Sequence, residues 1–222
     1  MKKVITLLVM LFVVSLATEV VAQTIRARAG FNLSKMLMKD DDKTLSSEDE
    51  YKMLPGFHLG ATAEIPFSDM FSFETGLLLS TKGYKYKDEG SLYETEGKVT
   101  LYYLEIPITG KATFDVGGVK VYGVFGPYLG FGLTGKYKNE FTIAGITEKS
   151  DGDIEWGTDA EKDDYKRLDF GLTVGAGVEI DAFQIGINYG LGLANLSPNS
   201  DNGYRQKNRV LGITIGYKIF AL

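Results

Sequence analysis

The sequence predicts an all-β protein that folds as an eight-stranded antiparallel up-and-down transmembrane β-barrel, closed and plugged by its own side chains. Three observations predict this fold. Apolar residues recur at every second position in eight segments, short and long connections alternate, and the intervening positions carry mainly glycine and charge. The segment from Leu168 to Ile180 shows this best, because it is longer than the about 5–6 residues of a usual strand and its second face is rich in glycine. Such a strand suits an apolar face towards lipid and a small-residue face inside a narrow barrel.

The first 22 residues have the pattern of a secretory signal peptide. Two lysines follow the initial Met, an uncharged run covers residues 4–18, and small residues precede Gln23. The run is shorter than the ~20 residues that a membrane-spanning helix needs. We therefore expect residues 1–22 to be removed as a signal peptide and residues 23–222 to form the outer-membrane β-barrel domain.

The composition limits the possible classes of function. A formal net charge of −5 argues against a nucleic-acid partner, since such partners require a basic surface. The chain has no cysteine, so disulfides and thiolate metal sites are excluded. Glycine is frequent at 27 residues, and Tyr and Phe contribute 13 each, which favours strands over helices.

The connections between the eight segments fall into two kinds. Short turns, "PFSDM", "DVGG" and "DA", follow strands two, four and six, and long polar loops follow the other strands. Outer-membrane barrels have short periplasmic turns and long outer loops, so both chain ends are expected in the periplasm. The predicted strands cover residues 25–33, 57–65, 71–84, 99–114, 119–134, 167–180, 183–194 and 210–220.

Two of the short turns predict a strand register. A two-residue hairpin at "DA" pairs Ile180 with Phe183 and makes every pair on one face apolar. A four-residue turn at 115–118 pairs Phe114 with Val119 and again keeps the faces separate. A slip of one residue would mix the two faces, so the preserved phase indicates a closed antiparallel sheet.

Charged residues between the apolar positions are predicted to fill the lumen. An unpaired buried charge costs several kcal/mol, so we expect an ion-pair network and a plugged barrel. An ion or proton path through these charges is the alternative. The predicted inward residues are Arg26, Arg28, His58, Glu64, Glu74, Lys82, Glu105, Lys111, Lys120, Arg167, Asp169, Glu179 and Lys218. Those expected to share the turn end are Arg26, Arg28, Glu64, Glu74, Lys120, Glu179 and Lys218.

Aromatic residues on the apolar face predict two membrane-interface girdles, with aliphatic residues between them. The girdle residues expected at the turn end are Phe67, Phe71, Phe114 and Phe183. Those expected at the loop end are Tyr84, Tyr102, Phe131 and Phe170.

The sequence identifies no catalytic, cofactor-binding or metal-binding residue. His58 is the only histidine and is interpreted as a packed polar residue near the outer rim. A hydrolytic site would need a nucleophile and an orienting acid beside it, for which Ser80 and Asp169 are the candidates. Nothing in the sequence places these three side chains within hydrogen-bond reach of one another.

The loop from Glu148 to Asp164 carries eight carboxylates against two lysines. It is interpreted as a solvated, mobile loop. Asp151, Asp153 and Glu155 lie at alternate positions and offer oxygen ligands for Ca²⁺ as an alternative, although the glycine and distal Glu of an EF-hand are missing. Trp156, exposed among these acids, would be an anchor for a partner.

Two long stretches carry a family resemblance. "YYLEIPITGKATF" (Tyr102 to Phe114) and "VYGVFGPYLGFGL" (Val121 to Leu133), with an early "GFN" at residues 30–32, resemble the PorT-like outer-membrane β-barrel family of Bacteroidetes. The resemblance covers essentially the whole mature sequence. It implies an eight-stranded outer-membrane barrel and carries over no catalytic residue. The member that gives the family its name takes part in protein secretion to the cell surface.

The leading hypothesis is a small, non-enzymatic outer-membrane barrel whose long acidic surface loops have a structural, adhesion or complex-forming role. Its expected partners are membrane lipid and a protein at the surface loops, with no nucleic acid and no cofactor; the oligomeric state stays open. One alternative is an accessory component of a protein secretion complex. A second is a lipid-modifying enzyme that uses His58. A third is a soluble lipocalin-like carrier, which would need a long wet face that is short of charge here.

Overall fold

A computed structural model describes residues 24–40, 51–90 and 93–221. The predicted signal peptide and Gln23 lie outside these residues. In chain order the strands are β1 Thr24–Lys39, β2 Tyr51–Lys52, β3 Leu54–Pro66, β4 Phe71–Glu89, β5 Tyr93–Val116, β6 Val119–Ile143, β7 Ile146–Asp153, β8 Leu168–Ile180, β9 Phe183–Gly192 and β10 Arg205–Ala221. A 3₁₀ turn at Asp201–Gly203 precedes the last strand. Within the described ranges, no helix is long and apolar enough to cross a membrane.

Eight of the strands close into a ring. Each neighbouring pair is antiparallel, in the order β1, β3, β4, β5, β6, β8, β9, β10 and back to β1. The predicted up-and-down barrel is therefore confirmed. Its faces are those expected: along β8, Phe170 is 44% exposed and Val174 53%, whereas Asp169 is fully buried. The barrel thus has a polar interior and an apolar outer surface.

The "DA" hairpin has the predicted register, with Ile180 opposite Phe183 and Gly177 opposite Gly186. The "DVGG" turn does not have the predicted register, because the predicted pairing is displaced by two residues. Val116 pairs with Val119 around a two-residue turn, in which Gly117 and Gly118 adopt φ angles of +68° and +94°. Two consecutive positive φ angles suit the tightest hairpin turns and favour glycine. A shift by an even number of residues leaves every side chain on its predicted face.

Three strands are much longer than the membrane requires. A tilted spanning strand needs about 9–11 residues, but β4 has 19, β5 has 24 and β6 has 25. Their loop-end halves continue as a sheet that β2 extends beside β4 and β7 extends beside β6. We call this five-stranded part the projecting sheet. Much of the predicted loops after strands three and five is therefore strand, because the cross-strand pairing continues beyond the barrel.

Seven of the eight predicted girdle residues lie on the outer surface of the barrel. At the turn end Phe67, Phe71, Phe114 and Phe183 are exposed, and at the loop end Phe131 and Phe170 are exposed and Tyr102 is half-buried. Tyr84 was assigned wrongly. It faces inward with Lys82 and is buried above the lumen, because it is out of phase with the outward residues Phe71 and Phe73 of its own strand.

Candidate functional site

The turn end of the lumen holds three cations and three carboxylates, which are Arg26, Arg28, Lys111, Glu64, Glu74 and Glu179. Lys111 Nζ donates to Glu64 at 2.9 Å and also to Glu179. Arg26 bonds the same two carboxylates, and Arg28 Nη2 lies 2.6 Å from Glu74 Oε2. Equal numbers of opposite charges, each hydrogen-bonded, satisfy the condition under which buried ions are tolerated. The predicted ion-pair network is present.

Its membership differs from the prediction in three lysines. Lys120 and Lys218 are exposed and line an opening of about 420 Å³ at the turn end; in the part of the chain that the structure describes, neither forms an ion pair. Long lysine side chains near a strand end extend their charge into water. Lys111, which lies deeper in its strand, is the central cation instead. Arg167, also predicted inward, lies at the loop end and donates to the Gly132 carbonyl at 2.9 Å.

His58 lies in a belt of neutral polar groups midway along the lumen. Its Nδ1 is 2.8 Å from Asn32 Oδ1 and its Nε2 is 3.0 Å from Thr214 Oγ1. Asn32 in turn donates to Ser80 Oγ at 3.1 Å. The structure therefore brings Ser80 near His58 through an amide, and it places Asp169 elsewhere. A cavity of about 100 Å³ adjoins this belt, with room for a few waters at about 30 Å³ each.

Lys82 and Asp169 form the upper polar cluster of the lumen. Lys82 Nζ lies 2.8 Å from Asp169 and 3.0 Å from Glu105, and it sits 4.3 Å from the centre of the Tyr128 ring. Asn208 Nδ2 donates to Asp169 at 2.9 Å. An ion pair and a hydrogen bond from an amide thus hold Asp169 in a packed, structural position. Sequence reasoning missed the amide, although alternation along its strand points Asn208 inward.

An apolar cap closes the loop end above this cluster. Its buried residues are Met36, Met38, Tyr84, Val99, Leu101, Tyr103, Ile154, Tyr165, Ala194 and Leu196. Backbone bonds fasten the covering loops to one another and to the strands: Ile154 N donates to the Gly135 carbonyl at 2.9 Å, and Lys166 N donates to the Leu196 carbonyl at 2.8 Å. The lumen is thus filled by ion pairs at one end and covered by packed side chains at the other.

Trp156 belongs to this cap, and its prediction as an exposed anchor was wrong. Its ring packs edge-on against Tyr103 at 5.7 Å and lies 6.3 Å from Tyr165. The contact with Gly132 is so close that a Cβ there would lie 2.4 Å from the Trp156 ring. The hydrophobic effect draws the ring down onto the barrel mouth, so its acidic sequence neighbours are a poor guide to its exposure.

Two tyrosines of the cap have perturbed acidity. Tyr84 and Tyr165 face each other, with their hydroxyl oxygens 3.5 Å apart. Burial raises the pKa of Tyr84 to about 12 and raises the pKa of Tyr165 well above its ordinary value. Both hydroxyls therefore stay neutral at physiological pH, as close packing of the cap requires.

The acidic loop from Glu148 to Asp164 is partly ordered as β7. Asp151 lies opposite Lys138, and Asp153 lies opposite Lys136 with an N–O distance of 4.0 Å. The loop predicted for this segment is thus wrong for its first third, which is strand, because β6 supplies a pairing edge. In the described ranges, no three His, Cys, Asp or Glu residues converge on a position that could hold a metal ion.

The tip of the projecting sheet, at the β6–β7 turn, exposes apolar side chains far from the barrel. Phe141 is 41% exposed, Ile143 48% and Ile146 68%. Ile143 pairs directly with Ile146, and alternation along β6 places Phe141 on the same face. Glu140 and Lys149 form an ion pair of 3.0 Å on the other face. The sheet therefore carries an apolar patch on one face of its outermost hairpin.

The chain is similar to several solved outer-membrane proteins. Ail, the attachment invasion locus protein of Yersinia pestis, is 20% identical with a TM-score of 0.33, covering 89% of this chain and 98% of Ail. Neisserial surface protein A is 15% identical with a TM-score of 0.41, covering 88% and 97%. OprG from Pseudomonas aeruginosa is 12% identical with a TM-score of 0.41, covering 89% and 96%. At these TM-scores the likenesses carry no inference about function.

No curated protein matches the chain. The family described as outer membrane protein beta-barrel domain matches residues 21–197, which is most of the chain. The match agrees with the closed ring, the apolar outer surface and the charged lumen. The chain belongs to the outer membrane protein β-barrel domain family and resides in the bacterial outer membrane.

Proposed function

We propose that this protein is a non-enzymatic, non-conducting barrel that holds a folded sheet above the outer membrane for contact with another protein. The contact has an adhesion or complex-forming role. By the general rule for these barrels, the long connections face the exterior. The cap and the projecting sheet then lie at the cell surface, and both chain ends lie in the periplasm.

The single observation that carries the proposal is the apolar patch Phe141, Ile143 and Ile146 at the tip of the projecting sheet. Exposed apolar groups rimmed by polar residues are typical of protein interaction sites. The tip is displaced from the lipid-facing part of the strands, so lipid burial does not account for it. A rigid sheet also lowers the ordering cost that a mobile loop would have on binding.

The filled lumen supports the same role. Eight-stranded barrels have interiors about wide enough for their own side chains. Here the cations and carboxylates are paired at the turn end, and Trp156 and Tyr103 pack over the loop end. Purified protein in a planar lipid bilayer is therefore expected to give no steady ion current. A stable open channel would overturn the non-conducting part of the proposal.

Photo-crosslinking in living cells tests the contact surface directly. A photoreactive residue at position 141, 143 or 146 is expected to give a discrete crosslinked product with a protein partner. The same residue at 142 or 147 lies on the opposite face of the hairpin and is expected to give none. Equal products from both faces, or none from either, would overturn the proposed contact.

A triple variant tests whether the patch matters for assembly. Phe141→Thr, Ile143→Thr and Ile146→Thr together keep strand-forming residues and remove the apolar surface. The native complex in solubilised membranes is expected to shrink to the size of the isolated barrel. Thr142→Val with Thr147→Val is the matched control on the opposite face. A complex of unchanged size in the triple variant would contradict the proposal.

The PorT-like resemblance supports a second candidate, an accessory component of a protein secretion complex. Deleting the gene would then reduce export of cargo to the cell surface, and the triple variant would have the same effect. Normal export in the deletion strain, together with a crosslinked partner at the tip, would favour the adhesion or complex-forming role.

A further inference from the structure

Four lysines stand side by side on the outer face of the projecting sheet. Lys52 on β2 lies opposite Lys85 on β4, Lys85 lies opposite Lys98 on β5, and Lys98 lies opposite Lys138 on β6. We call this set the lysine row. Neighbouring strands are about 4.8 Å apart, so the four charges span roughly 14 Å along one line.

Such a row is unfavourable for the isolated protein. Like charges directly opposite each other on neighbouring strands destabilise a sheet. Among the residues that the structure describes, none of the four lysines has an ion-pair partner within 4.0 Å. Lysines farther towards the tip are neutralised: Lys87 lies 2.6 Å from Glu94 and 2.7 Å from Glu96, and Lys149 pairs with Glu140. In its own register the row meets one carboxylate, that of Asp151 on β7 opposite Lys138, so four ammonium groups stand against one acid.

The position of the row points to its ligand. Lys98 lies on the same face of β5 as Tyr102, a residue of the loop-end girdle, and four positions farther along. Four residues at about 3.3 Å each, on a strand tilted by about 40°, place the row roughly 10 Å above the girdle. The headgroup region occupies several ångströms beyond the hydrocarbon core. The row thus lies just above the lipid-facing surface of the barrel, where the long lysine side chains can reach down to the polar headgroups.

We propose that the lysine row binds the phosphate groups of an anionic lipid in the outer leaflet. Several phosphates on one headgroup would match several ammonium groups within roughly 14 Å, and a lysine near a membrane surface contributes about fivefold in affinity for anionic lipid. The contact anchors the projecting sheet at a fixed height and orientation. This role is separate from the protein contact proposed for the tip of the sheet.

The binding test uses the full-length folded protein in detergent micelles with fluorescent diphosphorylated lipid A as the probe. The variant Lys98→Gln with Lys138→Gln removes two charges of the row and is expected to weaken binding about 30-fold. The matched control is Lys149→Gln with Lys162→Gln, two exposed extracellular lysines outside the row, and its affinity is expected to equal that of the wild type. An unboiled SDS gel confirms that each variant is folded.

Three further results decide the proposal. Probe lacking both phosphates should bind the wild type and the row variant equally, and added salt should weaken only the phosphate-dependent part. Equal affinity of the wild type and the row variant for the diphosphorylated probe would overturn the proposal. The proposal would also be overturned if the diphosphorylated probe bound only after the acids among residues 41–50 had been replaced by amides, because those acids would then be the ligand of the row. Crosslinking at the tip leaves the row intact, so the two proposals fail independently.

Discussion

Replacing Lys111 with Met should strongly destabilise the barrel while leaving its strands unchanged. The Lys111 side chain is fully buried and bonds two carboxylates, Glu64 and Glu179. Removing one partner of a buried ionic cluster costs about 3–5 kcal/mol, because the remaining charges stay buried without compensation. Lys111→Met would leave two cations against three carboxylates at the turn end.

The remaining contacts place the cost near the lower limit. Glu64 keeps Arg26 and a hydrogen bond of 2.7 Å from Ser72. Glu179 keeps Arg26 at 3.3 Å and Gln184 at 2.9 Å. We therefore expect a loss of about 3 kcal/mol in the free energy of unfolding. With a denaturant slope of about 1–3 kcal/mol per M, the urea midpoint should fall by roughly 1–3 M.

The assay is urea unfolding in detergent micelles, followed by the mobility difference between boiled and unboiled samples on SDS gels. Lys120→Met removes the same charge from the exposed rim and should change the midpoint little. Adding Glu64→Gln to Lys111→Met should recover part of the loss, because it removes the carboxylate left without its lysine. A midpoint for Lys111→Met equal to that of the wild type would refute the buried network, since it would mean that water screens these charges.

Three other predictions concern the cap and the chain terminus. Gly132→Ala should displace the Trp156 ring, because the new Cβ would lie 2.4 Å from it. Tryptophan emission should then shift to longer wavelength. Gly190→Ala, whose new Cβ would have its nearest atom at 3.7 Å, should leave the spectrum unchanged. Burial raises the pKa of Tyr84 from 10.0 to about 12. The contribution of Tyr84 to the free energy of unfolding is therefore complete below pH 10 and is lost as the pH rises towards 12, at about 1.4 kcal/mol per pH unit. Urea midpoints at pH 9 and pH 11 should differ less in Tyr84→Phe than in the wild type. Intact mass of the protein from outer membranes should correspond to a chain that begins at Gln23, and a chain that keeps residues before it would contradict the predicted cleavage.

Much of the fold was predictable because a transmembrane barrel is built from a strict two-residue period. The alternation along Leu168–Ile180 identifies a strand, its outward face and its partner across the "DA" turn. The "DVGG" turn was harder. Its pairing moved by two residues, because a two-residue turn through Gly117 and Gly118 keeps the same side chains on each face. Face assignments therefore survive an even register error, whereas contact assignments do not.

The site was less predictable than the fold. The inward direction of Lys111, Glu64 and Glu179 followed from alternation, but their meeting did not, because contacts inside a barrel depend on tilt and stagger among strands distant in sequence. Lys120 and Lys111 look alike in sequence, yet one lies at a wet rim and the other at the centre of the network. Trp156 is the clearest error, since its acidic surroundings suggested exposure, whereas the ring packs edge-on against Tyr103 and is partly buried.

The sequence by itself determined the barrel, the number of its strands, its lipid-facing surface and a charged interior, because each follows from local periodicity and turn chemistry. The tertiary structure decided which charges pair, that the loop end is capped, and that the strands at the loop end continue as a sheet. It also aligned four lysines from four strands into one row, although they are distant in sequence. These features depend on cross-strand register, which the sequence specifies only through the closure of the whole ring.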